Sequence, residues 1–179
     1  MFSQDEAGGS GRGGKDDDTR KSADGVIKPS LEPDPNRKPE GKPTEKEPNL
    51  DESKKHDIDA ENHAAKLLAE YGYGVKQNPS RTEIPANIDS KKYPDYLVEG
   101  VPMDCYTPQA DTSERNIWIT IKDKVEGRQT DGVVLNLDNL SKEKVDGLIA
   151  YLQTGDIDIK GIRSIIAVRE GEIIVIYPK

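Results

Sequence analysis

The sequence predicts an α/β domain with a mixed central sheet flanked by helices, preceded by a disordered leader. Three observations carry this reading. Beyond Asp57, stretches with helical spacing alternate with short apolar runs of strand length. Two of those runs, Ser164–Val168 and Glu172–Tyr177, meet around Gly171 and read as a hairpin. Before Ile58 the composition differs: residues 1–57 hold 6 of the 12 prolines, and their larger apolar side chains are only Met1, Phe2, Val26, Ile27, Leu31 and Leu50. Such a segment buries too little apolar surface to offset its ordering entropy. Residues 1–57 are therefore expected to be a Pro-, Gly- and charge-rich linker, and 58–179 a single folded domain.

The elements follow in order. Ile58–Tyr71 reads as a helix capped by Asp57, with Ile58, Glu61, Ala65 and Leu68 on one stripe and Gly72 as its stop. Tyr73–Lys76 is short and extended. Asn78–Lys92 lacks periodicity and carries two prolines, which marks a loop. Asp95–Glu99 and Pro102–Tyr106 form a hairpin across Gly100. Ser113–Glu126 is a helix ended by Gly127, and Val133–Leu137 a buried strand. Ser141–Leu152 is a helix with Val145, Leu148, Ile149 and Leu152 on one face, and the terminal hairpin follows.

Composition excludes several classes. Hydrophobic residues make up 32% of the chain and mean hydropathy is -0.82, and no stretch approaches the roughly 20 apolar residues of a membrane span. The first residues lack the basic and apolar regions of a Sec signal. One cysteine permits no internal disulfide. The net charge of -8 means that any nucleic-acid contact must be local, because the overall field repels phosphate. Phosphate-loop, zinc-protease and serine-hydrolase motifs are absent.

Three features carry chemistry. Glu61 lies on the apolar stripe of the first helix, where an isolated carboxylate is costly, although a shifted register would turn it to solvent. Asp95 opens one strand of the first hairpin, and Asp104 lies inside the next, between Met103 and Cys105. Two carboxylates converging there repel, so either one keeps its proton or a hard cation such as Mg²⁺ joins them through oxygen ligands. The helix Ser113–Glu126 supplies cations. Lys124 shares a face with Ile117 and Ile121, whereas Lys122 follows Trp118 by one turn. Gln129, Thr130 and Asp131 occupy the loop before the Val133 strand. The two histidines, His56 and His63, and Cys105 are not favoured as reactive groups.

The run Tyr93-Pro94-Asp95-Tyr96-Leu97-Val98-Glu99-Gly100 is followed by Met103-Asp104-Cys105-Tyr106, Arg115-Asn116-Ile117, Lys124-Val125, Gln129 and Val133-Val134-Leu135-Asn136-Leu137. Together these resemble the C-terminal tRNA-nuclease domain of contact-dependent growth inhibition toxins, within the broad PD-(D/E)xK nuclease superfamily. The resemblance covers about residues 58–177. It implies a site of Glu61, Asp95 and Asp104 on a divalent metal, Mg²⁺ first with Mn²⁺ or Zn²⁺ as alternatives, and a lysine on phosphate. The superfamily pattern places that lysine at position 106, where this chain has Tyr106, so the lysine falls to Lys124 or Lys122, with Lys124 preferred. The resemblance further implies a tRNA substrate, a cognate immunity protein, and action in the cytoplasm of a target bacterium after export as the end of a larger protein or as a separate warhead. A DNA nuclease with the same residues, and a non-catalytic acidic binding module, are the competing readings.

Overall fold

The computed structural model describes residues 25–154 and 159–178. Among the described residues, seven strands form one sheet whose spatial order equals their chain order: β1 (Glu40–Gly41), β2 (Val75–Gln77), β3 (Tyr96–Val98), β4 (Val101–Tyr106), β5 (Gly132–Asn136), β6 (Ser164–Arg169) and β7 (Glu172–Tyr177). β1 runs parallel to β2, β2 to β4 alternate antiparallel, β4 to β6 are parallel, and β7 closes antiparallel. Among the described residues there are three helices, α1 (Glu52–Glu70), α2 (Glu114–Glu126) and α3 (Lys142–Thr154). The mixed sheet and the helix order agree with the sequence reading.

Two apolar layers follow from strand periodicity. Along β5, Val133 and Leu135 pack with Ile117 and Ile121 of α2 and Leu148 and Leu152 of α3, whereas Val134 packs with Ala64, Ala65 and Leu68 of α1. In β6, Ile165 and Ala167 face α2 and α3, and Ile166 and Val168 face α1. Parallel strands covered on both faces read as continuous apolar runs, which is why both were visible in the sequence. Both hairpins turn through two residues at positive φ, Glu99 (48°) with Gly100 (75°) and Glu170 (50°) with Gly171 (80°). That pair of backbone angles suits the twist of the flanking strands.

The boundary at Asp57 needs correction. Helix α1 starts at Glu52, and Asp51, not Asp57, caps it by accepting the Lys54 amide at 2.8 Å. The first turns of α1 contain no large apolar side chain before Ile58, so apolar periodicity could not locate them. The part of the expected linker that is described packs on the domain. Ile27 is buried in the layer that holds Ala64 and Leu68. Leu31 donates its amide to the Gly72 carbonyl at 3.0 Å, and Asp34 donates to Glu70 at 2.8 Å. Ser30 donates through its amide (3.0 Å) and hydroxyl (2.9 Å) to the buried carboxylate of Glu99. The arm is held by one apolar anchor and by backbone groups that find partners on the folded part, which composition does not register. The rest of the expected linker, residues 1–24, lies outside the described residues.

Candidate active site

The site forms where two paired strands stop matching in length. β3 covers only Val101, Pro102 and Met103 of β4, and β4 continues through Asp104, Cys105 and Tyr106 without it. Asp95, one residue before β3, fills the gap: its Oδ2 accepts the Cys105 amide at 2.8 Å. A carboxylate thus stands where a strand carbonyl would otherwise be, beside Asp104 in the next position of β4. Asp104 is 1% exposed.

Helix α2 supplies the cation. Lys124 donates from Nζ to Asp104 Oδ2 at 2.9 Å. Gln129 donates from Nε2 to the same oxygen. Both reach it because α2 ends in a tight turn: the Gln129 amide bonds back to the Lys124 carbonyl at 3.0 Å, with Arg128 at φ 55°. Thr130 and Asp131 do other work. The buried Thr130 hydroxyl donates toward the carbonyls of Pro102 and Gly132, and Asp131 accepts from Asn87 at 2.7 Å. Lys122 points elsewhere. It lies 3.3 Å from Glu126 and over the Trp118 ring at 5.2 Å, so of the two candidate lysines only Lys124 is brought to the acids. The reason is helical phase, since residues two apart do not share a face.

Helix α1 brings Glu61 from the other layer. Its backbone carbonyl accepts the Tyr96 hydroxyl, and its Oε1 accepts the Thr44 hydroxyl. Thr44 belongs to the arm before α1 and was not among the candidate residues; nothing in its local sequence marks it. Gln129 was singled out as part of a loop and of the family pattern, with no role on Asp104. Cys105 turns away from Asp104 and packs beside the α1 layer, where burial pushes its thiol up. His56 and His63 line a separate cleft with Asn136 and Asp138.

The electrostatics describe a site short of positive charge. Burial, then the charges of Asp104 and Glu61, push Asp95 up to about 8, and the Cys105 amide and Lys124 only partly oppose this. Burial also raises Asp104, against the pull of Lys124 and Gln129. Glu61 is raised by burial and by Asp104, and lowered by Thr44. The second Asp104 oxygen, Oδ1, is buried without any hydrogen-bond partner. A buried carboxylate oxygen left bare beside a second acid that holds its proton into the neutral range fits a divalent cation. The fit is to two carboxylates completed by water or substrate oxygens. Among the described residues, no three His, Cys, Asp or Glu side chains form a group that could hold a metal ion by themselves. The three-acid ligand set expected from Glu61, Asp95 and Asp104 is thus not gathered as one closed cage; Glu61 stands on α1 with its Oε1 turned to Thr44.

Comparison with known proteins places the chain. The model of the contact-dependent growth inhibition CdiA C-terminal domain matches residues 91–173, which include Asp95, Asp104, Lys124 and Gln129. The tRNA nuclease CdiA-2 of Burkholderia pseudomallei (strain 1026b) is 32% identical over 162 residues, 90% of this chain. The chain spans 5% of the length of that protein. Among solved structures, a chain of the CdiA-CT/CdiI toxin and immunity complex from Burkholderia pseudomallei is 33% identical, with a TM-score of 0.64 over 77% of this chain and 97% of that one. With fold and sequence agreeing across nearly the whole of a solved relative, the chain belongs to the family of contact-dependent growth inhibition CdiA C-terminal domains.

Proposed function

We propose that this domain is a metal-dependent endoribonuclease that cleaves tRNA and so inhibits the growth of competing bacteria. The observation that carries the reading is Asp104: one oxygen is bound by Lys124 and Gln129, and the other is buried and bare. The activity of the relative named a tRNA nuclease supports the substrate. The toxin and immunity complex supports a toxin role and a cognate immunity protein in the producing cell. The small share of the long relative that the chain spans supports delivery as part of a larger protein, with action in the cytoplasm of the target bacterium. Among the described residues, no helix is long and apolar enough to cross a membrane. Membership of the PD-(D/E)xK superfamily is part of the same proposal.

The residues divide the work as follows. Asp95 and Asp104 would hold a divalent cation, Mg²⁺ by the preference of oxygen ligands, with water and phosphate oxygens completing its shell. When bound, such an ion polarises a phosphoryl oxygen and makes water a better nucleophile. Lys124 sets its ammonium where negative charge grows on the phosphate, and its ion pair with Asp104 keeps it there before substrate arrives. Gln129 fixes the Asp104 carboxylate in one orientation. Glu61, raised by burial, accepts a proton from the attacking water.

The test uses the full chain with total tRNA in Mg²⁺, then in EDTA, beside Asp104→Ala and with plasmid DNA in parallel. Discrete tRNA fragments that disappear with EDTA and with Asp104→Ala are expected. Plasmid nicking with tRNA intact would make the domain a DNA nuclease. No cleavage of either, with no response of thermal melting to Mg²⁺, would leave a binding module.

A further inference from the structure

The arm before α1 carries a group that the nuclease reading does not use. Thr44 sits against α1 through a reciprocal pair: its amide donates to Asn62 Oδ1 at 3.0 Å, and Asn62 Nδ2 donates to its carbonyl at 2.9 Å. Gln77 of β2 donates to the same Asn62 oxygen at 2.9 Å, which fixes the orientation of the amide. Thr44 is therefore clamped by its backbone, and its hydroxyl is left to act. That hydroxyl has one proton and two lone pairs. Asn78 Nδ2 donates to it at 3.1 Å, and to the Lys42 carbonyl at 2.8 Å. With a donor already on the oxygen, the single hydroxyl proton goes to its other partner, Glu61 Oε1. Asn78 is in turn tied to the second acid, because its amide donates to the Asp95 carbonyl at 2.9 Å.

We propose that Thr44, oriented by Asn78, is the positioning residue of Glu61, so that the arm before α1 is a working part of the site. This rests on the nuclease reading for its catalytic consequence but not for the contact itself. A carboxylate on a helix has free side-chain rotation unless something holds it, and the Thr44 hydroxyl turns one oxygen of Glu61 toward the arm. The other oxygen is thereby set for the proton transfer. Glu61 and Thr44 both lie outside residues 91–173, so the part of the site they form is contributed by chain N-terminal to the matched family region.

The experiment compares the full chain with Thr44→Val, Thr44→Ser, Glu61→Gln and the Thr44→Val/Glu61→Gln double variant. Valine keeps the shape and both backbone contacts to Asn62 but has no hydroxyl. Thr44→Val is expected to lower kcat by about 10- to 100-fold, the usual effect of removing a group that orients a reactive side chain, with KM within about two-fold. Thr44→Ser is expected to restore it. In the Glu61→Gln background, Thr44→Val should add nothing, since it acts through Glu61. The carboxyl ¹³C resonance of Glu61 should move in Thr44→Val and stay in Thr44→Ser, a readout that needs no substrate. A wild-type kcat in folded Thr44→Val, a rise in KM alone, or an unmoved Glu61 resonance would overturn the proposal. A chain that cuts no tRNA but shows the resonance shift would overturn the nuclease reading and keep the contact.

Discussion

Asp95 is held in the fold at a cost that its replacement by Asn should recover. In the folded chain its carboxyl is pushed from the usual 3.8 to about 8. The unfolded chain releases that proton near pH 4. Between these values the folded state binds more protons than the unfolded one, so stability falls as pH rises; the penalty is absent below about pH 4 and complete above about pH 8. Each unit is worth about 1.36 kcal/mol, so at pH 7, about three units above the unfolded value, it reaches at most about 4 kcal/mol. Asn has the same shape, keeps an oxygen for the Cys105 amide and cannot ionise. Asp95→Asn should therefore be more stable than wild type by about 2–4 kcal/mol at pH 7 and by little at pH 4.5, while losing nuclease activity. Urea unfolding in EDTA across pH 4.5–8.5 measures this directly. Parallel stability profiles for the two proteins, or a less stable Asn variant at pH 7, would refute the reasoning. Adding Mg²⁺ should stabilise wild type more than Asp95→Asn if the ion is held by both carboxylates as proposed.

Other outcomes follow from the same geometry. Under the proposed function, Lys124→Ala should lower tRNA cleavage by about 100-fold, the effect of losing a charge that the proposal sets on the reacting phosphate; Lys122→Ala, whose side chain pairs with Glu126 on its own helix, should stay within about two-fold in the same assay. Ile27→Ala should destabilise the chain by about 2–4 kcal/mol in chemical unfolding, because Ile27 is only 4% exposed within the α1 layer; an unaltered midpoint would mean that the arm does not pack.

The fold was legible wherever burial wrote a period into the chain. Val133–Leu137 and Ser164–Val168 stand out as apolar runs because helices cover both faces of those strands. The hairpins were legible for a local reason, since Gly100 and Gly171 accept the positive φ that a two-residue turn needs. The start of α1 was not, because its first turn is solvated and held by a cap and by the Lys55–Glu52 pair at 2.7 Å instead of by a core. The same holds for residues 25–51, whose attachment is mostly hydrogen bonds to distant partners such as Glu99 and Gly72.

The candidate site divides along the same line. Acidic residues at apolar positions violate the pattern of their own element, and such violations are where function is sought. Asp104 and Glu61 were visible on that ground from the residues alone, and Asp95 was visible as the acid that opens the strand paired with that of Asp104. Sequence by itself therefore determined the α/β class and both hairpins, and singled out Glu61, Asp95 and Asp104 as candidates. Only the tertiary structure decided the rest. It set Lys124, and not Lys122, against Asp104, because that depends on which face of α2 meets β4. It brought Gln129 onto the same oxygen, because that depends on how α2 ends. It joined Thr44 to Glu61 across 17 residues of chain. Those pairings are made between elements, and no period or propensity along one element records where its side chains will meet another.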